Sequence, residues 1–227
     1  AETLGFEVAA AAPSLRPAIE ALAARNGFTG RAACRITATR VGGARGLVPS
    51  PDARAQILVS LTAIAPPKST MRVVIAGAQR LSTAPTNAFK CVGAYAANMF
   101  ARIEAARAGA DEAIMLNEHG RVACAGSANL FLIERDAIIT PPEDEGAMPG
   151  VTRALLIKIA RGLGVAARIE PIDAERIAAA PLLMTNSLIG VLPGRLASAT
   201  ADAPHLATRL GAAYEGCLAS ELSEPAP

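Results

Sequence analysis

The sequence has little that would point to a nucleic acid, a membrane or a metal. Aromatic residues make up 3% of its 227 residues, tryptophan is absent, and the formal net charge is +2. The basic, aromatic-interleaved surface of a nucleic-acid-binding protein is therefore not expected. No apolar run approaches the ~20 residues that a membrane helix needs. The two histidines, His119 and His205, and the four scattered cysteines show no metal-ligand spacing.

Common catalytic signatures are also missing, and lysine is rare. There is no GxSxG, HExxH or P-loop motif. Only three of the 22 basic residues are lysines, namely Lys68, Lys90 and Lys158. Because arginine stays protonated and is not a nucleophile, a reaction that needs a primary amine has three candidate side chains.

The remaining pattern is that of a globular enzyme. Hydrophobic residues make up 52% of the chain, and helical and strand patterns are mixed without strict βαβ alternation, which predicts an α+β fold. We expect a small α/β domain over residues 1–82, a linker over residues 83–89 and a large domain over residues 90–227. The cysteines, which have no CxxC spacing, are interpreted as reduced thiols in a cytoplasmic protein.

Lys90 follows the small, polar linker and precedes the apolar run Cys91-Val92-Gly93. An apolar environment would favour its neutral amine, which could act as a Schiff-base nucleophile. From this context alone, an ordinary surface lysine is the favoured interpretation.

Two other segments could hold an anion. Pro149-Gly150-Val151-Thr152 opens a predicted helix, whose free N–H groups would favour a phosphate. The turn Thr185-Asn186-Ser187 brings hydroxyl groups to the end of a predicted buried strand. A nucleophilic lysine together with a phosphate site is what pyridoxal phosphate requires.

These residues resemble the class IV aminotransferases, the fold-type IV pyridoxal-phosphate enzymes, from about residue 89 to residue 192. The family includes branched-chain aminotransferases, D-amino acid aminotransferases and 4-amino-4-deoxychorismate lyases. The matching segments are Lys90 and residues 104–113, 120–131, 149–153 and 185–187. The resemblance implies a two-domain fold-type IV structure, like that of D-amino acid aminotransferase, with pyridoxal 5'-phosphate as cofactor. It also implies a homodimer that acts on an amino-acid-like substrate.

The resemblance also implies roles for individual residues. Lys90 would bind the cofactor covalently and then move the substrate α-proton. The backbone N–H groups of Val151 and Thr152 and the Ser187 hydroxyl would hold the phosphate. The other implied cofactor contacts are Tyr95, Cys124 and Asn129, and the implied substrate contacts are Arg35, Arg45 and Asn186.

Two departures from the family pattern stand out. Where the family has a glutamate that pairs with the cofactor's ring nitrogen, this chain has Cys124. A thiol is a weak partner and normally neutral at pH 7, so we expect a weaker electron sink. The family's N-terminal strands, with their phosphate-binding arginine, also have no counterpart here, and we expect the small domain to be truncated at its N terminus.

Within the family, the sequence favours the lyase, which eliminates pyruvate to give 4-aminobenzoate. The run from Arg40 to Gly46 resembles the lyase pattern, in which the last arginine, Arg45, faces a substrate carboxylate. Arg35 and Arg40 could instead face solvent. Tyr95 favours the alternative, a branched-chain or D-amino acid aminotransferase. A third possibility is a relative that is catalytically weakened because Cys124 replaces the glutamate. A possibility of a different class is a catalytically idle relative that serves as a binding or structural protein.

Overall fold

The computed structural model describes residues 2–5, 8, 15–43, 46–197 and 205–223. The chain divides into two compact units, Ala1–Pro66 and Pro67–Pro227. The first unit contains helix α1 (Leu15–Arg25) and strands β1 (Ala32–Val41) and β2 (Arg54–Ala63). The strands pair antiparallel from Ala32 opposite Ala63 to Val41 opposite Arg54.

The second unit is built on a single eight-stranded sheet. Its strands are β3 Met71–Ile75, β4 Glu112–Leu116, β5 Val122–Ala125, β6 Asn129–Glu134, β7 Ala137–Thr140, β8 Ala166–Ile169, β9 Leu182–Asn186 and β10 Gly190–Leu196. They run in the spatial order β5-β4-β3-β10-β9-β6-β7-β8. The helices are α2 Tyr95–Arg107, α3 Val151–Gly162, α4 Ala174–Ala179 and α5 His205–Ser223. The sheet curls, so that Val122 N–H on β5 donates to the carbonyl of Ile172, which follows β8 (2.8 Å).

Alternating side chains place the two faces of this sheet in different cores. On β6, Leu130 and Leu132 belong to a cluster that includes Val122 and Ile172. Phe131, their neighbour on the opposite face, packs in a second cluster with side chains of α3 and α5. A third, smaller cluster of alanines and Met115 lies beneath α2. Residues at successive positions of a strand point to opposite faces, which explains why β6 is apolar almost throughout.

The fold class is the α+β class that the sequence predicts. The unit boundary falls earlier than the predicted boundary at residue 82, because β3 pairs in parallel with both β4 and β10. The predicted linker, residues 83–89, contains a short 3-10 helix, Pro85–Ala88. Its buried Asn87 donates to the carbonyls of Leu81 (2.9 Å) and Ser82 (3.0 Å), and so ties this segment to its own unit.

Two negative findings concern the described part of the chain. None of its helices combines the length and apolarity needed to cross a membrane. Nor does it group three or more His, Cys, Asp or Glu side chains in an arrangement that could hold a metal ion.

Candidate active site

The larger unit contains a cavity of about 510 Å³. Its wall is formed by the segment around Lys90, the residues that follow β5, the start of α3 and the end of β9. Three cationic residues, Arg80, Lys90 and Arg153, line it, and no aspartate or glutamate among the described residues does. This composition suits an anionic ligand.

Lys90 lies on the cavity wall, and its side chain is exposed. Its Nζ lies 5.3 Å from the centroid of the Tyr95 ring, a distance at which an ammonium is attracted to an aromatic face. A 3-10 turn, Val92–Ala94, separates the two residues and leads directly into α2. The apolar residues that follow Lys90 in the sequence therefore do not enclose its side chain.

The opposite part of the wall is organised by Asn129, the first residue of β6. Its side-chain amide donates to the Thr152 hydroxyl at the start of α3 (3.0 Å). The same amide group lies 3.0 Å from both the carbonyl and the hydroxyl oxygen of Thr185, near the end of β9. Asn129 therefore connects the two segments that the sequence analysis identified as anion sites.

The N-terminus of α3 is open to an anion. Gly150 is the N-cap residue, no side chain caps the helix, and its first turn has no acidic residue. The N–H groups of Val151 and Thr152 have no intrahelical acceptor, since the first four N–H groups of a helix lack one. A Cβ at Gly150 would overlap Asn129 Oδ1, so glycine is what allows Asn129 to approach the helix.

The turn after β9 is shaped by Asn186. Its side-chain amide donates to the carbonyl of Ser127 (3.0 Å), and its Oδ1 accepts the N–H groups of Leu188 (2.8 Å) and Ile189 (2.9 Å). These bonds hold the turn against the residues that follow β5. Ser187, at the centre of the turn, is exposed and lines the cavity.

Cys124, on β5, also lines the cavity. Burial raises the pKa of its thiol to about 11, with a smaller opposing effect of Arg80. The side chain is therefore neutral at pH 7, as the sequence analysis expected.

Arg80 is a cavity residue that the sequence analysis missed. It is 6% exposed, and its Nε donates to the carbonyl of Gly146 (2.7 Å). Its Nη2 is buried and has no hydrogen-bond partner in the described structure. As one of many arginines in the chain, it carried no sequence signal that could have singled it out.

The structure brings together most of the predicted site residues. Those that line the cavity are Lys90, Tyr95, Cys124, Asn129, Val151, Thr152, Asn186 and Ser187. Arg35 lies on β1 in the smaller unit and is exposed, as is the side chain of Cys34 beside it. In the same unit, Arg40 Nη2 donates to the carbonyl of Leu47 (3.4 Å). Arg45 lies outside the described residues.

The family of this chain follows from its match to a known protein family. The family described as "Amino-transferase class IV" matches residues 1–197. The chain belongs to the class IV aminotransferases. Among curated members, the branched-chain-amino-acid aminotransferase of Escherichia coli (strain K12) is 32% identical over 115 residues, which are 50% of this chain and 37% of that protein.

Solved structures of class IV proteins have the same fold. A T.th. branched-chain amino acid aminotransferase, complexed with N-(5'-phosphopyridoxyl)-L-glutamate, has a TM-score of 0.80 and 27% identity. The match covers 96% of this chain and 74% of that one. A Legionella pneumophila structure assigned as a 4-amino-4-deoxychorismate lyase has a TM-score of 0.74 and 24% identity, over 87% of this chain and 72% of that one. The curated relatives align over about a third of their own length. The share is 29% for a probable branched-chain-amino-acid aminotransferase of Synechocystis sp. and 37% for the branched-chain-amino-acid aminotransferase of Salmonella typhimurium.

Class IV aminotransferases depend on pyridoxal phosphate, and the cavity fits that cofactor. It offers an exposed amine at Lys90 and, in the uncapped start of α3 and the Ser187 turn, two places for phosphate oxygens. The described wall has cations and no carboxylate, which suits a phosphate. The unpartnered, buried Nη2 of Arg80 adds a hydrogen-bond donor that a bound group could use.

Proposed function

We propose that this chain is a pyridoxal-phosphate-dependent aminotransferase whose substrates are branched-chain or D-amino acids. The observation that carries the proposal is that one cavity holds both the Lys90 amine and an uncapped helix start. Its relatives support transamination better than the pyruvate elimination that the sequence analysis placed first. When bound, pyridoxal phosphate supplies an electron sink for the charge left when an α-proton is removed.

The first task of the protein is to hold the phosphate. We assign this to the N–H groups of Val151 and Thr152 and to the Ser187 hydroxyl. Asn129 acts as a positioning residue, because it hydrogen-bonds to Thr152 and Thr185 and so fixes the spacing of the two anion-binding segments. Anion binding is favoured here by the positive end of the α3 dipole.

The second task is covalent attachment and proton transfer at one nitrogen. Lys90 Nζ would be the attachment point that holds the cofactor, and the same nitrogen would accept and return the α-proton of the substrate. Exposure of Lys90 to the cavity leaves its amine accessible to a substrate. The Tyr95 ring beside it would restrict the positions that the amine can adopt.

The rest of the wall favours an apolar substrate side chain. Much of it is hydrocarbon, including Phe89, Leu130, Met148 and Val151 together with several alanines. A branched aliphatic side chain would bury apolar area against such a wall, at about 25 cal/mol per Å². This is the physical reason to place branched-chain amino acids among the candidate substrates. Arg35 and Arg45 remain our candidates for the substrate carboxylate.

The decisive test separates cofactor binding from reaction type. Protein incubated with pyridoxal phosphate and reduced with borohydride is digested, and the modified peptide is identified by mass spectrometry. We expect the adduct on Lys90 and not on Lys158, which is exposed on α3. Lys90→Ala should abolish both adduct and turnover, whereas Lys158→Ala should retain both. An adduct spread over surface lysines would contradict the assignment.

The reaction is then read from a substrate panel. Branched-chain amino acids and D-alanine, each with 2-oxoglutarate, test transamination, and aminodeoxychorismate tests the lyase. The lyase is the second candidate because the neutral Cys124 suits a reaction that aromatisation of the product helps to drive. Release of 4-aminobenzoate without any transamination would show that the lyase, and not the aminotransferase, is the correct assignment. Failure to bind the cofactor at all would favour a binding or structural role.

We further expect a homodimer in the cytoplasm. The α2 side chains Met99, Phe100 and Ile103 are large, apolar and exposed, which is typical of a surface that a partner covers. All four cysteines are free, as is usual in a reducing compartment. Sedimentation analysis tests the dimer, and a monomer at micromolar concentration would contradict it.

A further inference from the structure

The cavity wall near Cys124 carries a buried cation with an unused donor. Arg80 is 6% exposed, and two of its nitrogens are already bonded, Nε to the carbonyl of Gly146 (2.7 Å) and Nη1 to Oδ1 of Asn98 (3.1 Å). Nη2 is buried without an acceptor in the described structure. Leaving a charged donor unsatisfied is costly, so the position is suited to a ligand that brings an acceptor.

No carboxylate of the described residues balances this charge inside the cavity. The carboxylate whose charge helps to raise the pKa of the Cys124 thiol is that of Glu112, which does not line the cavity. Glu112 is fully buried, pairs with Arg102 (3.1 Å) and accepts the Ser127 hydroxyl. The cavity surface near Cys124 therefore presents a guanidinium and a neutral thiol.

We propose that Arg80 donates a hydrogen bond from Nη2 to the ring nitrogen of pyridoxal phosphate, so that this chain holds the cofactor with an unprotonated pyridine ring. The proposal rests on the proposed function, because it needs the cofactor attached at Lys90 with its phosphate at α3 and Ser187. The resemblance to the family then places the ring nitrogen beside Cys124, where other members have a glutamate.

The reason is the sign of the charge beside the nitrogen. A carboxylate stabilises a protonated ring nitrogen, because it accepts the N–H and opposes the positive charge. A guanidinium does the reverse, since it repels the protonated ring and can only donate. The neutral Cys124 thiol does not offset this effect. Arg80 would thus favour the unprotonated state of the cofactor ring. Alignment with the family shows only that Cys124 stands in place of the glutamate, so it would not predict this effect of Arg80.

The direct test is the protonation state of the ring nitrogen. The whole chain is loaded with ring-15N pyridoxal phosphate, attachment to Lys90 is verified by reduction and mass spectrometry, and the nitrogen shift is recorded at neutral pH. We expect the shift of an unprotonated pyridine. Cys124→Glu, which adds a carboxylate at the family's position, should move the signal to that of the protonated ring. A protonated ring in the unaltered chain would overturn the proposal.

A binding experiment isolates the hydrogen bond. The chain should bind pyridoxal phosphate at least about tenfold more tightly than an analogue with CH in place of the ring nitrogen, because a charged donor would lose its acceptor. In Arg80→Met the ratio of the two affinities should fall to near one. Arg72→Met removes an exposed arginine of β3 outside the cavity and should keep the preference. An equal preference in Arg80→Met and the unaltered chain would overturn the proposal.

The two experiments distinguish the failure of this inference from that of the proposed function. If no adduct forms on Lys90 in the unaltered chain, the proposed function itself is wrong, and with it the inference. If the adduct forms and the ring nitrogen is protonated, only the role of Arg80 is wrong. Should Arg80→Met fail to fold, the nitrogen shift of the unaltered chain still decides.

Discussion

The two units differ in how they bury their side chains. None of the described residues of the first unit is buried, and Ile36 and Leu58 on its two strands are 47% and 62% exposed. The second unit has three clusters of buried residues, with Phe131, Leu132 and Ile138 among those of zero exposure. The second unit also contains the whole cavity.

This difference shows which unit should contribute most to stability and which unit contains the cavity. Burial of apolar surface is the main favourable term in folding, so side chains of the second unit should dominate the free energy of unfolding. The sheet of that unit also carries Cys124 and Asn129, which line the same cavity as Lys90. The first unit, in contrast, contributes a two-stranded ribbon, an architecture that is marginal without further packing.

The largest expected difference is in stability. Phe131→Ala removes a fully buried ring from the core between the sheet and α3, and should lower the free energy of unfolding by about 3–5 kcal/mol. Leu58→Ala on β2 should change it by no more than about 0.5 kcal/mol. Urea unfolding of both variants checks this. A comparable loss for Leu58→Ala would show that the ribbon is packed against a surface outside the described chain.

The next largest expected difference between the two units is in the reactivity of their thiols. Burial raises the pKa of the Cys124 thiol from 9.0 to about 11, which lowers its thiolate fraction at pH 8 by about 100-fold. Cys34, on the ribbon, is exposed. We expect iodoacetamide to modify Cys34 rapidly and Cys124 last, as followed by peptide mass spectrometry. Equal rates would contradict the burial of Cys124 in the cavity wall.

Within the second unit, the glycines at the two ends of α3 sharpen the comparison. Gly150→Ala would push a Cβ into Asn129 and should weaken binding of pyridoxal phosphate about tenfold, since the protein groups that hold the phosphate would lose their spacing. Gly162→Ala, at the other end of the same helix, meets no atom within 4 Å and should leave binding unchanged. Titration of the cofactor absorbance measures both. Unaltered binding in Gly150→Ala would show that Asn129 does not position the groups that hold the phosphate.

The smallest effect concerns pH. The hydroxyl and the N–H of Ser82 lower the pKa of Glu118 from 4.5 to about 2. Because the folded-state value is depressed, this contact stabilises the fold above about pH 4.5 and is lost as the pH falls through about 2. Ser82→Ala should raise the carboxyl's midpoint in an NMR titration. In the first unit, Ser50→Ala should affect Asp52 and leave Glu118 unchanged. An unchanged Glu118 midpoint in Ser82→Ala would exclude this contact.

Much of the fold could be predicted from the sequence because its elements carry strong local signals. The helical spacing of Leu15, Ile19 and Leu22 predicts a helix over Leu15–Arg25, and the sequence also predicts a strand over Glu112–Leu116. Both ranges are those of α1 and β4 in the structure. Strand β10 was missed, since it contains Pro193 and Gly194, residues that usually argue against a central strand. Its pairing with β3, more than 100 residues earlier, leaves no local trace.

The candidate site was predictable where a motif lies in one stretch of chain. Lys90, the start of α3 and the Thr185–Ser187 turn each carry a recognisable pattern, and the cavity contains all three. Arg80 was not predictable, because its importance comes from burial beside Cys124 and from a donor without an acceptor in the described structure. Those properties arise only after distant strands have paired.

The central position of β10 also orders the assembly of the protein. This strand, Gly190–Leu196, lies between β3 and β9, so each of those strands lacks one neighbour until the ribosome has released almost the entire larger unit. A nascent chain that stops short of residue 190 already contains the lysine and both anion-binding segments, but not the strand that joins the two halves of the sheet. Long-range pairing of this kind is slow, and we expect cofactor capture to follow synthesis rather than accompany it.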